Sequence, residues 1–525
     1  MNPAHYVQLF KLAGPEALVT LAALAVLLVD LTAMRGAPAR ARRGIAVLLT
    51  VVGSFAAGLY LGQVPVQDVT WGGLFAVDRL TQLVKGVLLG LAMLTALLSW
   101  EADHTDHVGE HFALLLLATV GLMVMASAAD LVTVFLGLEL TGLSLYPLVA
   151  LNKTAPRATE AALKYFFFGA LAAAVTLFGF SFLYGLTGST NLAEIAAALR
   201  GRGFDPLLAL AVVFSLVGFG FKVAAVPFHL WAPDAYQGAP TPVAAFIASG
   251  SKLAGFFLLG RFVALGLPGT AGGTRAELFT PGWVPVVGVL ALTSMLVGNL
   301  AALAQRDLKR LLAYSAIAHA GYLLLAVLAL NGAANRPAAL AALVYYASTY
   351  ALAGLGAFAA AGHVERRAGD AALDRLPGLG RSAPWLAAGL AVFLLSLAGL
   401  PPLAGFPAKF YVFAAALHTP HADAVPLGLV GVALLLSPVG FYYYLRVLKL
   451  AWVVEPGQAS TDAREGNGES PGVTSPPAAS APGAGTSFSV ETVVALLAAA
   501  GVLALGLFPQ WLLGPLQEAI RGAGW

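Results

Sequence analysis

Five charged side chains in this sequence lie where a charge is expensive. Glu139 sits in the apolar string Thr133-Val-Phe-Leu-Gly-Leu-Glu-Leu-Thr-Gly-Leu, Lys222 in Gly218-Phe-Gly-Phe-Lys-Val-Ala-Ala-Val-Pro, and Lys252 in Ser249-Gly-Ser-Lys-Leu-Ala-Gly. Lys409 follows Leu400-Pro-Pro-Leu-Ala-Gly-Phe-Pro-Ala, and Lys164 opens a further run in Thr159-Glu-Ala-Ala-Leu-Lys-Tyr-Phe. A charge at the centre of a membrane helix costs about 2.5–3.5 kcal/mol on insertion scales. Five together exceed ~10 kcal/mol, comparable to the stability of a whole domain. Something must compensate for them, and the residue types name the chemistry, because carboxyl and amine groups both take up and release protons.

Lysine carries a proton near neutral pH only where burial or a neighbouring like charge brings its pKa down from about 10.4. An ion pair at 4 Å is worth ~4 kcal/mol at an effective dielectric constant of 20. Moving one charge through 100 mV costs about 2.3 kcal/mol. Making or breaking one pair therefore supplies much of a proton's climb against a membrane potential. Two histidines join the set: His319, deep in an apolar run, and His229, just after Pro227. A neutral imidazole can relay a proton through its two nitrogens.

Each residue has a plainer reading beside the functional one. Glu139 could be a structural partner for a lysine, and Lys164 is close enough to an interface to snorkel. Lys309 and Arg310 read as ordinary interfacial positives, and Asp78 with Lys85 as a structural or interfacial pair. The stretch 101–111 (EADHTDHVGEH) mixes acids and histidines like a metal cluster, but on a surface loop it reads as a solvated charge run.

The elements that must hold these residues are membrane helices. The chain has 525 residues, 59% apolar and only 10% charged, against about 25% charged in a soluble domain. Apolar runs long enough to cross a ~30 Å hydrocarbon core recur throughout. The ten-residue alternation of a β-barrel does not. We expect an all-α polytopic membrane protein of about fourteen spans, at 15–34, 45–64, 74–99, 112–128, 131–151, 160–187, 206–230, 242–265, 282–304, 310–330, 338–361, 384–417, 426–454 and 489–513. The first run has no signal-peptide pattern before it and is read as a retained span. A net charge of +3 with basic residues in short loops fits the positive-inside rule better than nucleic-acid binding. With no cysteine, disulfides, thiolate-bound metals and iron–sulfur clusters are excluded from this chain.

Lys and Arg counts set the orientation. Arg35, Arg40, Arg42, Arg43, Lys153, Arg157, Arg306, Lys309, Arg310, Arg366, Arg367, Arg375 and Arg381 fall on one side, which is predicted to be cytoplasmic. Both termini then lie on the outer side. Residues 455–487 are Pro, Gly, Ser and Ala without apolar periodicity, which predicts a flexible linker before the last helix.

Two of the spans are predicted to break. Lys222 is flanked by glycines and Pro227, and Pro401, Pro402 and Pro407 remove three backbone donors just before Lys409. A broken helix frees carbonyls, and the negative end of a half-helix favours a cation. Three strings echo one another at an offset near 180 residues: Ala161-Ala-Leu-Lys-Tyr-Phe with Ala341-Ala-Leu-Val-Tyr-Tyr, Val226-Pro-Phe-His-Leu-Trp with Phe406-Pro-Ala-Lys-Phe-Tyr, and Gly255-Phe-Phe-Leu-Leu-Gly-Arg with Gly440-Phe-Tyr-Tyr-Tyr-Leu-Arg. His319 falls opposite Glu139 at that offset, and His229 opposite Lys409. Five intervening spans make the two copies inverted, a transporter signature. The expected division is 1–111 as a three-helix segment, 112–265 and 282–454 as two inverted five-helix repeats, 455–487 as linker, and 488–525 as a final transmembrane helix.

As a set, Glu139-Leu-Thr-Gly-Leu-Ser-Leu-Tyr, Ala161-Ala-Leu-Lys-Tyr-Phe, Pro227-Phe-His-Leu-Trp-Ala-Pro-Asp-Ala-Tyr-Gln-Gly-Ala-Pro-Thr-Pro-Val, Asp307-Leu-Lys-Arg-Leu-Leu-Ala-Tyr-Ser-Ala-Ile-Ala-His-Ala-Gly-Tyr and Leu400-Pro-Pro-Leu-Ala-Gly-Phe-Pro-Ala-Lys-Phe resemble the antiporter-like membrane subunits of respiratory complex I, the bacterial NADH-quinone oxidoreductase. The resemblance covers roughly 70–450. It implies discontinuous seventh and twelfth helices and a proton path through Glu139, Lys164, Lys222, Lys252 and Lys409. It also implies a bacterial inner-membrane location and assembly with other membrane and peripheral complex I subunits. NADH, FMN, Fe–S clusters and quinone would sit on those partners, with no cofactor on this chain. The competing readings are a sodium/proton antiporter subunit without NADH chemistry and an inert membrane scaffold.

Overall fold

Apolar residues all round a helix drive it into lipid or into a core, and here they do both. The structure is a computed structural model; it describes residues 11–64, 67–71, 73–275, 278–332, 334–418, 424–455 and 489–523. Every expected span has a helix: α1 Gly14–Leu31, α2 Ala39–Leu61, α3 Arg79–Leu98, α4 Val108–Ser127, α5 Leu131–Val149, α6 Pro156–Thr187 and α7 Pro206–Val223. A short α8, Trp231–Gly238, then leads to α9, Thr241–Gly266. There follow α10 Trp283–Leu303, α11 Leu308–Ala329, α12 Arg336–Ala368, α13 Pro384–Ala398, α14 Gly405–Leu417, α15 Ala424–Trp452, α16 Val490–Leu507 and α17 Gln510–Gly522.

Thirteen of these helices are long and apolar enough to cross a membrane, among the described residues. The expected twelfth span is two shorter apolar helices, α13 and α14, parted at the prolines. The helices at the centre are α9, α11 and α12, whose windows are 100%, 94% and 89% buried, whereas α1, α2, α6 and α15 lie at the periphery with much of their apolar surface outward. Two small antiparallel hairpins, β1 Gln67–Trp71 with β2 Phe75–Val77 and β3 Gly273–Arg275 with β4 Leu278–Thr280, add strand to an expectation of helix alone.

Aspartates start several helices by accepting from the first-turn amides: Asp78 from Thr81 N, Asp130 from Val132 N, Asp205 from Leu208 N and Asp307 from Arg310 N. That amide bond and Arg202 hold the Asp205 carboxyl below the usual range. The basic loops converge on one face. There Arg42 pairs with Asp30 at 2.6 Å, Arg43 with Asp103 at 3.2 Å, Arg366 with Glu101 at 2.8 Å, and Arg310 with Asp234 at 2.6 Å.

The last helix ends earlier than expected. α16 stops at Leu507, and after Pro509 the amphipathic α17 begins. The expected linker, apart from Glu455, lies outside the described residues.

Without a hydrophobic drive between helices in lipid, packing relies on small residues that let backbones meet. α10 and α11 cross where a Cβ on Gly298 would fall 2.3 Å from Ala318 N, and one on Gly321 2.7 Å from Met295 N. Gly298→Leu must push two backbones apart, and we expect a loss of about 1–3 kcal/mol. A thermal-unfolding comparison in detergent checks this; an unchanged midpoint would contradict the packing.

Candidate functional site

Helix α7 ends at Val223, one residue past Lys222, because the chain turns out of it. Ala224 takes the left-handed region (φ 56°) and Pro227 follows. The free groups at this end find partners: Val226 N donates to Ser294 Oγ at 2.9 Å, and Trp231 Nε1 donates to Phe221 O at 3.1 Å. Lys222, 4% exposed, thus sits in the last turn of a half-helix, where the dipole favours a cation. With half-buried Glu139 of α5 it lines a small cavity of about 20 Å³ that Tyr146 and Thr176 share. Its stem runs along α9, since a Cβ on Gly255 would lie 3.3 Å from Lys222 Cγ.

One turn back on α9 from Gly255 stands Lys252, 2% exposed. It follows a π-helical turn, Ile247–Ser251, a local irregularity often found at functional sites. Its ammonium donates to the carbonyl of Ala316 on α11 and lies 5.5 Å from the centre of the Tyr350 ring. The Tyr350 ring is 5.0 Å from that of His319. His319 is itself held by Tyr346 Oη at 2.9 Å through Nδ1 and Tyr444 Oη at 3.2 Å through Nε2. His319 packs edge-on against Tyr322 at 5.7 Å, and Lys409 lies 5.2 Å from the Tyr322 ring centre.

Lys409 completes the row. Its Nζ donates at 2.9 Å to Ala398 O, the last residue of α13, so the second break also presents a helix C-terminus to a lysine. Gly399 allows this approach. Its φ is +90°, and a Cβ there would fall 3.0 Å from Lys409 Cδ. His319, Tyr346, Tyr350, Ser396 and Lys409 line a small cavity of about 10 Å³.

The expected residues therefore divide. Glu139 and Lys222 share one cavity, while Lys252, His319 and Lys409 are joined through tyrosines. Lys164 stands apart: 40% exposed, it pairs with Glu160 at 2.6 Å and Asp234 at 2.7 Å on the basic face. His229 lies in the first break, 9% exposed, and its Nδ1 finds no hydrogen-bond partner among the described residues.

Several groups that meet the expected residues were not expected themselves. The tyrosines are among them, although Tyr346 and Tyr350 are spaced i, i+4 and so share a helix face, which here meets the buried His319. Lys309 is not an ordinary interfacial positive. It is 1% exposed and donates at 2.9 Å to both Ala239 O and Glu365 Oε1. Asp78 does not pair with Lys85 but meets Arg261 at 3.1 Å, while Lys85 pairs with Glu16 at 2.6 Å. Charge and spacing along the chain favoured the local pairing; the fold supplies partners from distant helices. Nor is 101–111 wholly solvated. His104 lines a cavity of about 260 Å³ on the basic face together with Thr241, Glu365, Arg366 and Glu491.

Comparison with known proteins gives this geometry a context. The family described as NADH:quinone oxidoreductase/Mrp antiporter, TM, matches residues 128–434. The chain is 47% identical to NADH-quinone oxidoreductase subunit N 2 of Acidobacterium capsulatum, over 88% of this chain and 93% of that one. It is 40% identical to subunit N 1 of Roseiflexus castenholzii, over 85% and 80% respectively. A chain of respiratory complex I from Thermus thermophilus with bound aureothin superposes with a TM-score of 0.73 at 34% identity, covering 96% of this chain and 99% of that one. A chain of the Mrp complex from Dietzia superposes at 0.77 with 23% identity, covering 98% and 97%, and is a likeness of fold.

Two outcomes follow from the basic-face cluster. Glu365→Ala leaves the Lys309 ammonium with one carbonyl in a nearly dry site. Because Glu365 keeps a third of its surface in the open, the expected loss is about 2–3 kcal/mol, below the fully buried range; thermal unfolding reads it, and a loss under about 0.5 kcal/mol would speak against a tightly held pair. Burial pushes the His104 imidazole down to about 4, with Arg43 adding to the effect. Between pH ~6.5 and ~4 the unfolded chain then binds the extra proton, so stability falls as pH drops through that window. His104→Gln should flatten this acid limb in a pH series of unfolding midpoints; an unaltered limb would show that His104 does not contribute.

Proposed function

The chain belongs to the NADH:quinone oxidoreductase/Mrp antiporter membrane family, and from that premise we propose that it acts as a subunit-N-type proton-translocating membrane subunit of an NADH-quinone oxidoreductase. Electrons pass from NADH to quinone on partner subunits, which carry the FMN and Fe–S clusters. This chain, with no cysteine to ligate a cluster, handles protons. Higher identity to the complex I chain than to the Mrp chain favours this reading over a sodium/proton antiporter.

One observation carries the assignment to residues. Lys222, Lys252 and Lys409 are each buried and each placed at a helix irregularity: before the first break, after a π turn, and after the second break. Glu139 faces the first across a cavity, and the Tyr350, His319 and Tyr322 rings bridge the second and third. In this reading a proton held between Glu139 and Lys222 changes the charge felt at Lys252. His319, with both nitrogens hydrogen-bonded to tyrosines, passes protons between the Lys252 and Lys409 ends. His229 lies beside the first break as a further relay group, and Lys164 acts at the rim of the basic face.

The same reading takes 112–265 and 282–454 as inverted repeats. The breaks after Lys222 and before Lys409 support it, falling near Pro227 and Pro407, 180 positions apart. It places 1–111 as a peripheral three-helix segment and 488–525 as a terminal one, with the basic face in the cytoplasm and both termini outside a bacterial inner membrane.

The test compares assembled complexes in inverted membrane vesicles, reading NADH-driven acidification against the amount of complex. Lys222→Ala and Lys252→Ala should each lower pumping by about tenfold or more, the scale of a lost proton-transfer group. Lys164→Ala, which removes only solvent-screened surface ion pairs, should keep about half or more of it. Full pumping by assembled Lys222→Ala and Lys252→Ala complexes would reduce the chain to a scaffold.

A further inference from the structure

The last membrane helix lies outside both proposed repeats and follows residues 455–487, yet it is fixed at both ends. At the basic face Ser489 caps it through Thr492 N at 3.2 Å, Val490 N donates to Glu101 Oε1 at 3.1 Å, and Glu491, 5% exposed, bonds Arg366 and meets His363 at 3.2 Å. At the other end α16 meets the backbone of the second break. Ala404 N, left free where α14 starts, donates at 3.2 Å to Val502 O. Tyr345 Oη of α12 donates at 2.7 Å to Leu505 O.

The closest approach is at Gly506. A Cβ there would fall 2.1 Å from Pro402 O and 2.6 Å from Ala404 N, both backbone atoms that cannot rotate away. Gly501, on the same helix, differs in kind: its Cβ would meet only Leu352 Cδ2 at 2.7 Å, the far end of a flexible side chain. The break is under constraint from within as well, since Gly405 N donates to Ser396 Oγ at 3.1 Å, and Lys409 reaches Ala398 O across it.

We propose that α16 is a brace for the discontinuous twelfth span, and that Gly506 is the positioning residue through which it holds residues 399–404 so that Lys409 stays bonded to the end of α13. Two contacts from α16 meet that segment, Val502 O on Ala404 and Gly506 on Pro402, while Ser396 on Gly405 and Gly399 on Lys409 constrain the break from within. A half-helix end is a weak structure alone, because its terminal amides and carbonyls have no partner within the helix. α16 provides the missing partner for one of them. The proposal rests on the reading of Lys409 as part of the proton path.

The experiment uses the whole complex in inverted vesicles and reads protons pumped per NADH oxidised, alongside the amount of complex assembled. Gly506→Leu should lower that ratio by about tenfold, the scale of a displaced reacting group, while Gly501→Leu stays within about twofold of the parent. Parent-like pumping by Gly506→Leu overturns the brace. Lys409→Ala separates the two levels: if it pumps normally, the proton-path reading fails; if it is impaired while Gly506→Leu is not, only the brace fails.

Should Gly506→Leu not assemble, a second arm decides. Ala404→Cys with Val502→Cys places the only two thiols of this chain where backbones in hydrogen-bond contact bring Cα atoms within roughly disulfide reach. A protease site introduced within 456–487 frees the last helix on a gel unless the bond, or a short bismaleimide, holds it. The brace predicts efficient crosslinking with pumping retained. Failure to crosslink, or crosslinking that abolishes pumping, overturns it.

Discussion

A charged side chain in a low-dielectric interior needs a partner, and this fold supplies one by breaking its own helices. An intact helix spends its carbonyls on its own amides; one that stops leaves several unused, with a partial negative charge at that end. Lys222 lies in the final turn of such an end, and Lys409 reaches back 2.9 Å to another. Lys252 uses a third device, a π turn ahead of it and a carbonyl on the facing helix. Neutral dipoles stabilise a protonated lysine without fixing it in that state, as a full counter-ion would. Arg42, Lys85 and Arg261, each beside a carboxylate, show the contrasting arrangement.

Much of this was legible in the sequence because membrane helices announce themselves. Uninterrupted apolar runs located every span, prolines located both breaks, and the basic loops converge on one face as counted. What could not be read was which distant groups meet. Asp78 has Lys85 seven residues on, but a helix of 1.5 Å rise carries the two more than a turn apart, and the fold brings Arg261 instead. Lys309 sits one residue into its helix and reads as an ordinary interfacial positive; Ala239 and Glu365, from two other elements, enclose it.

The site shows the same division. Glu139, Lys222, Lys252 and Lys409 were identifiable because charge in hydrocarbon is rare. The tyrosines between them were hidden, since an aromatic residue in an apolar helix signals packing first. Tyr322, Tyr346, Tyr350 and Tyr444 surround His319 from three helices, and only the tertiary structure turns five scattered residues into one polar cluster. Lys164, which opens its helix close enough to an interface to snorkel, is a rim residue whose partners, Glu160 and Asp234, are only partly buried or exposed themselves.

The central claim is that the buried groups form one connected path. Along it several polar atoms, Ser251 Oγ, Ser348 Oγ and His229 Nδ1, are buried without a hydrogen-bond partner among the described residues, a condition that bound water normally relieves. A map of the assembled complex that resolves internal water tests the claim most directly. A connected path requires ordered water at those atoms, linking the Glu139–Lys222 cavity to Lys252 and on to the His319–Lys409 cavity. A dry, apolar gap between Lys222 and Lys252 or between Lys252 and Lys409, persisting through turnover states, would contradict it.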